Sequence, residues 1–339
     1  NHYMDRSGIG TAPSQAIDEK VTAAAVEWLG AHREPTDKPW VLFVSYPSAH
    51  PPFTVPADFY REGDEAAVDL PPGWQADPGD DHPAVAYRRR ILRSEPMTTE
   101  DEPALRKVMA GYLALCEHLD REIGKVLAAL DDAGLTDDTR IIYTSDHGEM
   151  AGAHGLFGKS CLFEDSIRVP LIMAGPDIPA GRVVDAPVSH VDLYPTLLDC
   201  VGADAEPVAG DLLGVSLWQE LDAAAAQRPA FAEYHAAGSA SGGFMLRDGR
   251  WKLLYHVGMP QQLFDLEADP AELVDLGPDH PKAEELEAKL RRICDPEAVD
   301  ARAKADQRKW IAHWGGADAV ASEALLIYTP PPGEPAEME

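Results

Sequence analysis

Apolar residues recur at helical spacing in two long segments of the chain. In residues 14–32 they fall on one face of a helix that Ser14 can cap. In residues 98–130 they return every third or fourth position, and Gly134 follows shortly after the last of them. The pattern predicts an amphipathic helix near the start of the sequence and a long crossover helix further on.

Continuous apolar runs predict buried strands between and after these helices. Residues 40–46, 140–144 and 169–174 are such runs, and they are typical of strands covered on both faces. Residues 47–81 are too polar and too rich in Pro, Gly and Asp for regular elements, while residues 191–200 suggest a short helix. The alternation favours an α/β fold with a mostly parallel sheet sandwiched by helices, in which sites collect beyond the carboxyl ends of strands.

The pattern changes after about residue 211, where short strand-like runs are joined by tight turns. These runs are residues 230–235, 243–246, 251–255 and 262–264. They predict a small antiparallel sheet, and residues 282–294 read as a helix. We therefore expect a catalytic α/β domain in residues 1–215, a smaller α+β subdomain in residues 216–325, and a Pro-rich acidic tail in residues 326–339.

Acidic residues outnumber basic ones, with 58 Asp and Glu against 29 Lys and Arg, so the formal charge at pH 7 is −29. Such a charge repels phosphate backbones and anionic lipid surfaces, which argues against nucleic acid and membranes as partners. No run reaches the roughly 18 apolar residues of a membrane span. The four cysteines are widely spaced without a C-x-x-C pair, which predicts reduced, structural thiols and favours the cytoplasm over the periplasm.

Ionisable residues are dense in the segment that joins the second and third predicted strands. Asp146 and His147 stand at the end of a strand and can present a carboxylate oxygen and an imidazole nitrogen to a divalent cation, while Gly148 relieves crowding of the backbone. An isolated Asp-His pair more often caps a turn and packs against it. The position at a strand end narrows the difference between these two interpretations without deciding it.

Two further ionisable residues are predicted to lie at the same edge of the sheet. Lys159 lies beside Gly158, so an anionic group can approach its ammonium closely, although an isolated lysine is usually only solvated. His50 follows the first buried strand and could protonate a leaving group, although it could also simply stack on Pro51. Metal ligands, a lysine and a histidine together predict transfer of a charged tetrahedral group, either sulfuryl or phosphoryl.

These motifs resemble the second half of the sulfatase catalytic domain. The resemblance is carried by S-D-H-G-E-M-A-G-A-H-G-L-F-G-K at 145–159 and F-E-D-S-I-R-V-P-L-I-M-A-G-P at 163–176. It extends through S-A-H-P-P-F at 48–53, V-S-H-V-D-L-Y-P-T-L-L-D-C-V-G at 188–202 and L-F-D-L-E-A-D-P-A-E-L at 263–273. The resemblance implies an alkaline-phosphatase-like α/β sandwich and a sulfuric ester hydrolase acting on a small anionic ester.

The resemblance also assigns expected roles to the residues of the site. Asp146 and His147 would be two ligands of a divalent metal, usually calcium in sulfatases. Lys159 and His50 would contact the sulfate group, and His50 could assist departure of the alcohol. His235 is expected to reach the pocket from the smaller subdomain.

Three other residues near the site are expected to have structural roles. By the same resemblance, Arg168 would brace the loop. Glu149 and His154 would hold its conformation rather than take part in the chemistry.

One part of the sulfatase pattern is not found in these 339 residues. Sulfatases also use a strand ending in paired acidic ligands and a C-x-P-S-R or S-x-P-S-R motif whose Cys or Ser becomes formylglycine, and neither occurs here. Thr11 imitates the motif but reads as the start of a helix. We expect the chain to be the latter portion of a sulfatase, inactive alone, whose uncovered apolar surface favours association, including a homo-oligomer.

Two alternatives stay open at the level of sequence. Phosphonate monoester hydrolases and phosphodiesterases of the same superfamily share the Asp-His pair and the lysine, and they would favour manganese, zinc or iron over calcium. A non-catalytic remnant that binds an anion or a partner is the other alternative.

Overall fold

The computed structural model describes most of the chain. The described residues are 4, 6–33, 37–61, 64–75, 77, 79, 81–92, 94–203, 214–220, 228–236 and 239–319. The predicted tail, residues 326–339, lies outside them.

The helices predicted from apolar periodicity are present. Their bounds are α1 Pro13–Ala31, α2 Asp64–Ala67, α3 Pro83–Leu92, α4 Glu102–Asp132, α5 Glu164–Ile167, α6 Leu193–Cys200, α7 Leu217–Glu220, α8 Pro281–Ile293 and α9 Pro296–His313. Helix α9 was not predicted, because its charged residues and alanines form no apolar stripe. No helix in the described part of the chain combines the length and the apolar character that a membrane span needs.

The strands form three small sheets in the described ranges. They are β1 Gly8–Ile9, β2 Thr54–Val55, β3 Ile141–Thr144, β4 Leu171–Ala174, β5 Ala230–Tyr234, β6 Gly243–Asp248, β7 Trp251–His256 and β8 Gln262–Asp265. Strands β1 and β2 pair in parallel, β3 pairs with β4, and β5 to β8 form a four-stranded sheet in sequence order. All pairs of this last sheet are antiparallel, as predicted.

The prediction of parallel pairing was wrong for β3 and β4, which pair antiparallel with Thr144 opposite Leu171. No long crossover helix separates the two strands. Instead the chain between them doubles back, since the amide of Gly148 donates to the carbonyl of Ser166 at 2.8 Å. This return places β4 alongside β3 in the opposite direction.

The predicted strand at residues 40–46 does not pair with any strand in the described ranges. Its side chains alternate between half-buried and exposed, and Phe43 is 87% exposed. The half-buried side chains face α1, where the hydroxyl of Tyr46 lies 3.1 Å from that of Thr22. The expectation of burial on both faces was wrong, because only one face of this segment is covered by described residues.

Helix α1 buries polar groups that its apolar pattern does not predict. Ala12 is the residue before its first turn and donates its amide to the side chain of Gln15 at 2.9 Å, so Ser14 is not the cap. Asp18 is fully buried and accepts hydrogen bonds from the amide and the hydroxyl of Ser48. Burial raises the pKa of Asp18, and the two hydrogen bonds compensate part of its desolvation.

One hydrophobic core joins the loop after β3 to the small sheet. Met150 and Phe163 of the loop pack in the same cluster as Met245, Leu254 and Phe264 of β6, β7 and β8. The predicted domain boundary at residue 215 stays a prediction, but the regions on its two sides share this core. The loop therefore packs against the small sheet.

Candidate active site

The loop between β3 and β4 is closed by backbone hydrogen bonds at two levels. Gly148 pairs with Ser166, and the amide of Met150 donates to the carbonyl of Gly158 at 2.8 Å. A Cβ atom at Gly148 would lie 2.1 Å from the carbonyl oxygen of Asp165, so no other residue fits at this position without a shift of the backbone. The closure places Gly158, the residue before Lys159, beside Met150.

Asp146 and His147 lie side by side directly after β3. Their Oδ2 and Nε2 atoms are 3.3 Å apart, and the side chain of Asp146 is 83% exposed. The carboxylate is oriented by the amide of His147, which donates to its Oδ1 at 2.9 Å. The carboxylate therefore faces solvent next to an imidazole nitrogen.

The donor set of this pair fits a divalent cation. Nδ1 of His147 lies 2.8 Å from the carbonyl of Gly148, so Nδ1 carries the proton and Nε2 presents its lone pair. A divalent cation beside this pair would have that lone pair and the Asp146 carboxylate as two ligands. A carboxylate oxygen and an imidazole nitrogen are ligands that Mn²⁺ and Zn²⁺ accept readily, whereas Ca²⁺ prefers oxygen.

These two residues are a partial set of ligands. No cluster of three or more His, Cys, Asp or Glu side chains suited to a metal ion occurs in the described ranges. A metal held here would therefore take its other ligands from water, substrate or residues outside those ranges.

Lys159 is half-buried at the end of the closed loop. Its ammonium has no carboxylate partner within the described parts of the chain, although the protein carries a charge of −29. An unpaired ammonium beside a glycine is available to an anionic ligand.

His50 is exposed on the segment that precedes β2. Its Nδ1 lies 2.8 Å from the carbonyl of Pro51, which leaves Nε2 available. The neighbouring Ala49 packs against the same hydrophobic cluster as Phe157 of the loop. The roles of His50 and Lys159 in binding an anion stay predictions.

The structure does not bring His235 into contact with the loop. Its ring packs edge-on against Phe244 at 5.3 Å, and its carbonyl accepts a hydrogen bond from Gln307 of α9. These contacts lie within the smaller subdomain. The predicted role of His235 in the substrate pocket stays a prediction.

Arg168 does not brace the loop as predicted. Its side chain is exposed and has no hydrogen-bond or ion-pair partner in the part of the chain that the structure describes. Arg168 is the first residue after α5, where its amide donates to the carbonyl of Glu164, so its side chain projects away from the loop interior.

Glu149 and His154 have structural roles, in agreement with the prediction. Glu149 accepts hydrogen bonds from the amides of Ala151 and Gly158, which closes the loop from within. The His154 ring stacks on Phe163 at 4.2 Å, and burial lowers its pKa. Both side chains are used in holding the loop.

Sequence reasoning missed two arginines of α3 that hold the loop from outside. Arg88 donates to the carbonyls of Phe157 and Lys159, and Arg89 donates to those of His154 and Gly155. The only signal in the sequence is the run R-R-R at 88–90 within an irregular region, and it does not reveal which carbonyls the arginines reach.

A cavity of about 30 Å³ lies between this loop and the small sheet, lined in part by Arg88, Ser160 and His256. This volume is close to that of a single water molecule. The cavity therefore has room for little more than water.

The loop lies within a stretch of sequence that matches a known family. Residues 2–203, more than half of the chain, match the sulfatase family. The chain belongs to the sulfatase family. Residues 152–297 also match the C-terminal region of N-sulphoglucosamine sulphohydrolase, and that match covers the loop from residue 152 onwards and the small sheet.

Curated relatives match most of the length of this chain. It is 35% identical over 286 residues to choline-sulfatase of Rhizobium meliloti, covering 81% of this chain and 55% of that protein. It is 30% identical over 332 residues to arylsulfatase K of Danio rerio, covering 90% of this chain and 62% of that protein. The chain thus spans somewhat more than half the length of these relatives.

A solved structure with the same fold is the phosphonate monoester hydrolase from Silicibacter pomeroyi. The TM-score is 0.66 at 27% sequence identity, and the match covers 80% of this chain and 58% of that one. The predicted fold class, an alkaline-phosphatase-like α/β fold with a smaller C-terminal α+β region, is confirmed.

Proposed function

We propose that this chain takes part in the metal-assisted hydrolysis of a small anionic sulfate monoester. The observation that carries the proposal is the unpaired Lys159 ammonium on the same closed loop as the Asp146 and His147 pair, whose acceptors lie 3.3 Å apart. Membership of the sulfatase family and relatives named choline-sulfatase and arylsulfatase K support the sulfate ester as substrate.

The residues of this chain have separate tasks in the proposed reaction. Lys159 neutralises the charge that grows on the non-bridging oxygens of the sulfuryl group. Nε2 of His50, when protonated, donates its proton to the bridging oxygen as the bond from sulfur to that oxygen breaks, so the alcohol leaves neutral. A divalent cation held by Asp146 and His147 would supply Lewis-acid stabilisation of the sulfate oxygens.

The attacking nucleophile is not assigned to a residue of this chain. None of Cys116, Cys161, Cys200 and Cys294 stands in a C-x-P-S-R motif. Burial raises the pKa of the Cys161 thiol, so it is a poor source of thiolate. The formylglycine of the family pattern therefore has no counterpart here.

The function is tested by joining this chain to the region of the R. meliloti choline-sulfatase that carries the nucleophile motif and measuring turnover of an aryl sulfate. We expect turnover to appear and Lys159→Ala to lower kcat/KM by about a hundredfold, because one group that stabilises developing charge is lost. Lys309→Ala, on the exposed side of α9, is the matched control and should leave kcat/KM unchanged.

A chimera that hydrolyses a phosphonate monoester but not the aryl sulfate would contradict the choice of substrate. That second function is favoured by the likeness to the S. pomeroyi enzyme and by the imidazole ligand, which suits manganese or zinc. The two substrates are therefore assayed side by side, each with Ca²⁺, Mn²⁺ and Zn²⁺.

We expect weak binding of metal to the chain alone, with a Kd on the order of 0.1–1 mM, because two protein ligands are few. Paramagnetic Mn²⁺ should broaden the NMR signal of the His147 ring, and Asp146→Asn should abolish the broadening since a charged ligand is lost. Asp137→Asn, on an exposed turn, is the control. Unchanged broadening in Asp146→Asn would show that Asp146 is not a ligand.

A further inference from the structure

Arg88 is a buried cation whose side chain donates hydrogen bonds to the backbone of the loop. It is 2% exposed. Its Nη2 donates to the carbonyl of Phe157 at 2.7 Å, and both Nε and Nη2 donate to the carbonyl of Lys159. No carboxylate pairs with it in the described ranges. Its charge is therefore balanced only by carbonyl dipoles, which is an unfavourable environment for a guanidinium.

The two carbonyls that Arg88 holds flank a strained turn. Gly158 has a φ of +74° and Ser160 a φ of +77°, a conformation that a residue with a side chain seldom adopts. Arg88 and Glu149 hold this turn from opposite sides, because Glu149 accepts from the amide of Gly158. Arg88 thereby fixes the peptide plane after Lys159, and the amide of Met150, which donates to the carbonyl of Gly158 at 2.8 Å, fixes the plane before it. Together they set the direction of the Cα–Cβ bond of Lys159.

We propose that Arg88 is a positioning residue, which directs the Lys159 ammonium towards the sulfuryl group and adds positive potential beneath it. The inference rests on the proposed function, in which Lys159 binds that group. A guanidinium can hold one carbonyl with two parallel N–H groups, and a lysine at the same place cannot. Substitution by lysine therefore keeps the charge and removes the geometry.

Arg89 supplies a matched comparison from the same helix. It is also buried and also donates to loop carbonyls, but these belong to His154 and Gly155 at the far end of the loop. It is paired with Asp81 at 2.6 Å. Substitution of Arg89 should lower the stability of the loop as a whole, whereas substitution of Arg88 should change the orientation of the Lys159 side chain.

The test is a titration of the full ¹⁵N-labelled chain with inorganic sulfate at constant ionic strength, followed by NMR at the amides of Gly158 and Lys159. We expect Lys159→Ala to abolish the response and Arg88→Lys to lower the affinity for sulfate about tenfold. Arg89→Lys should stay within about twofold of the wild type. Each affinity is normalised to the folded fraction from urea unfolding.

Three outcomes decide the matter. Wild-type affinity in Arg88→Lys together with weak binding in Lys159→Ala would overturn the positioning role alone. Wild-type affinity in Lys159→Ala would overturn both this role and the anion-binding role of Lys159. If Arg88→Lys does not fold, the test instead follows the Nε–H signal of Arg88 in the wild-type protein during the sulfate titration. This signal should shift with sulfate while that of Arg89 does not, and an unmoved Arg88 signal would overturn the inference.

Discussion

Replacement of Lys252 by methionine is expected to lower the free energy of unfolding by about 3–5 kcal/mol. The Lys252 side chain is 0% exposed, and its Nζ lies 2.9 Å from Glu164 and 2.7 Å from Glu272. Methionine fills a similar volume but leaves two carboxylates without their cation in the interior. Arg247 still pairs with Glu164 at 3.0 Å, so the uncompensated charge falls on Glu272.

Urea unfolding at pH 7 measures this effect. Lys309→Met, at an exposed pair on α9, is the control and should change the free energy of unfolding by less than about 0.5 kcal/mol. Burial already raises the pKa of Glu272, so adding Glu272→Gln to Lys252→Met should restore part of the stability. A loss below about 1 kcal/mol in Lys252→Met would mean that this buried triad contributes little.

Acidification is expected to destabilise the protein, with His256 as the largest single contributor. Burial, with a smaller effect of the neighbouring His82, lowers the pKa of His256 to about 4. An unfolded histidine binds its proton near pH 6.5, so between pH 6.5 and pH 4 the unfolded state holds more protons and stability falls as the pH falls. The difference in pKa corresponds to about 3 kcal/mol by pH 4.

Other buried groups raise or lower the free energy of unfolding between pH 6.5 and pH 4. The lowered pKa of His82 and of His154 also makes acid destabilising. The raised pKa of the Asp18 and Glu272 carboxyls has the opposite effect, since these groups take up protons more readily in the folded state. The net pH dependence therefore does not isolate one residue, and a comparison of variants does.

His256→Gln is the variant that separates this contribution. Free energies of unfolding from urea titrations between pH 7.5 and pH 4.5 should decline less steeply in His256→Gln than in the wild type. His313→Gln, on the exposed end of α9, should follow the wild-type curve. Parallel curves for His256→Gln and the wild type would show that His256 is not the acid-sensitive group.

The parts of the fold that follow from local periodicity were predictable from the sequence. Helices α1 and α4 and the strands of the small sheet have the predicted character, because their apolar spacing is set by the helix and strand repeats. The direction of β4 was not predictable, since it depends on how the loop before it folds back. Burial at residues 40–46 was overestimated because an apolar run does not reveal whether a second element covers it.

The site was predictable to the extent that its residues are neighbours in sequence. Asp146 and His147 are adjacent and lie at a strand end, so their proximity needs no tertiary information. Arg88 lies 71 residues from the carbonyl that it holds, and that carbonyl has no side-chain signature. Contacts from a side chain to a distant backbone carbonyl therefore could not be predicted from the sequence. Glycines of the loop, such as Gly148, did indicate where the backbone packs closely.

The hydrophobic core shared by the loop and the small sheet has a consequence for motion. Met150, Leu156 and Phe163 are all nearly inaccessible to solvent and pack with Met245 and Phe264 of the sheet. The loop cannot lift away without exposing those side chains, so its opening costs the free energy of separating it from the sheet. Loop and sheet thus form one cooperative unit, and the loop does not act as a hinged lid.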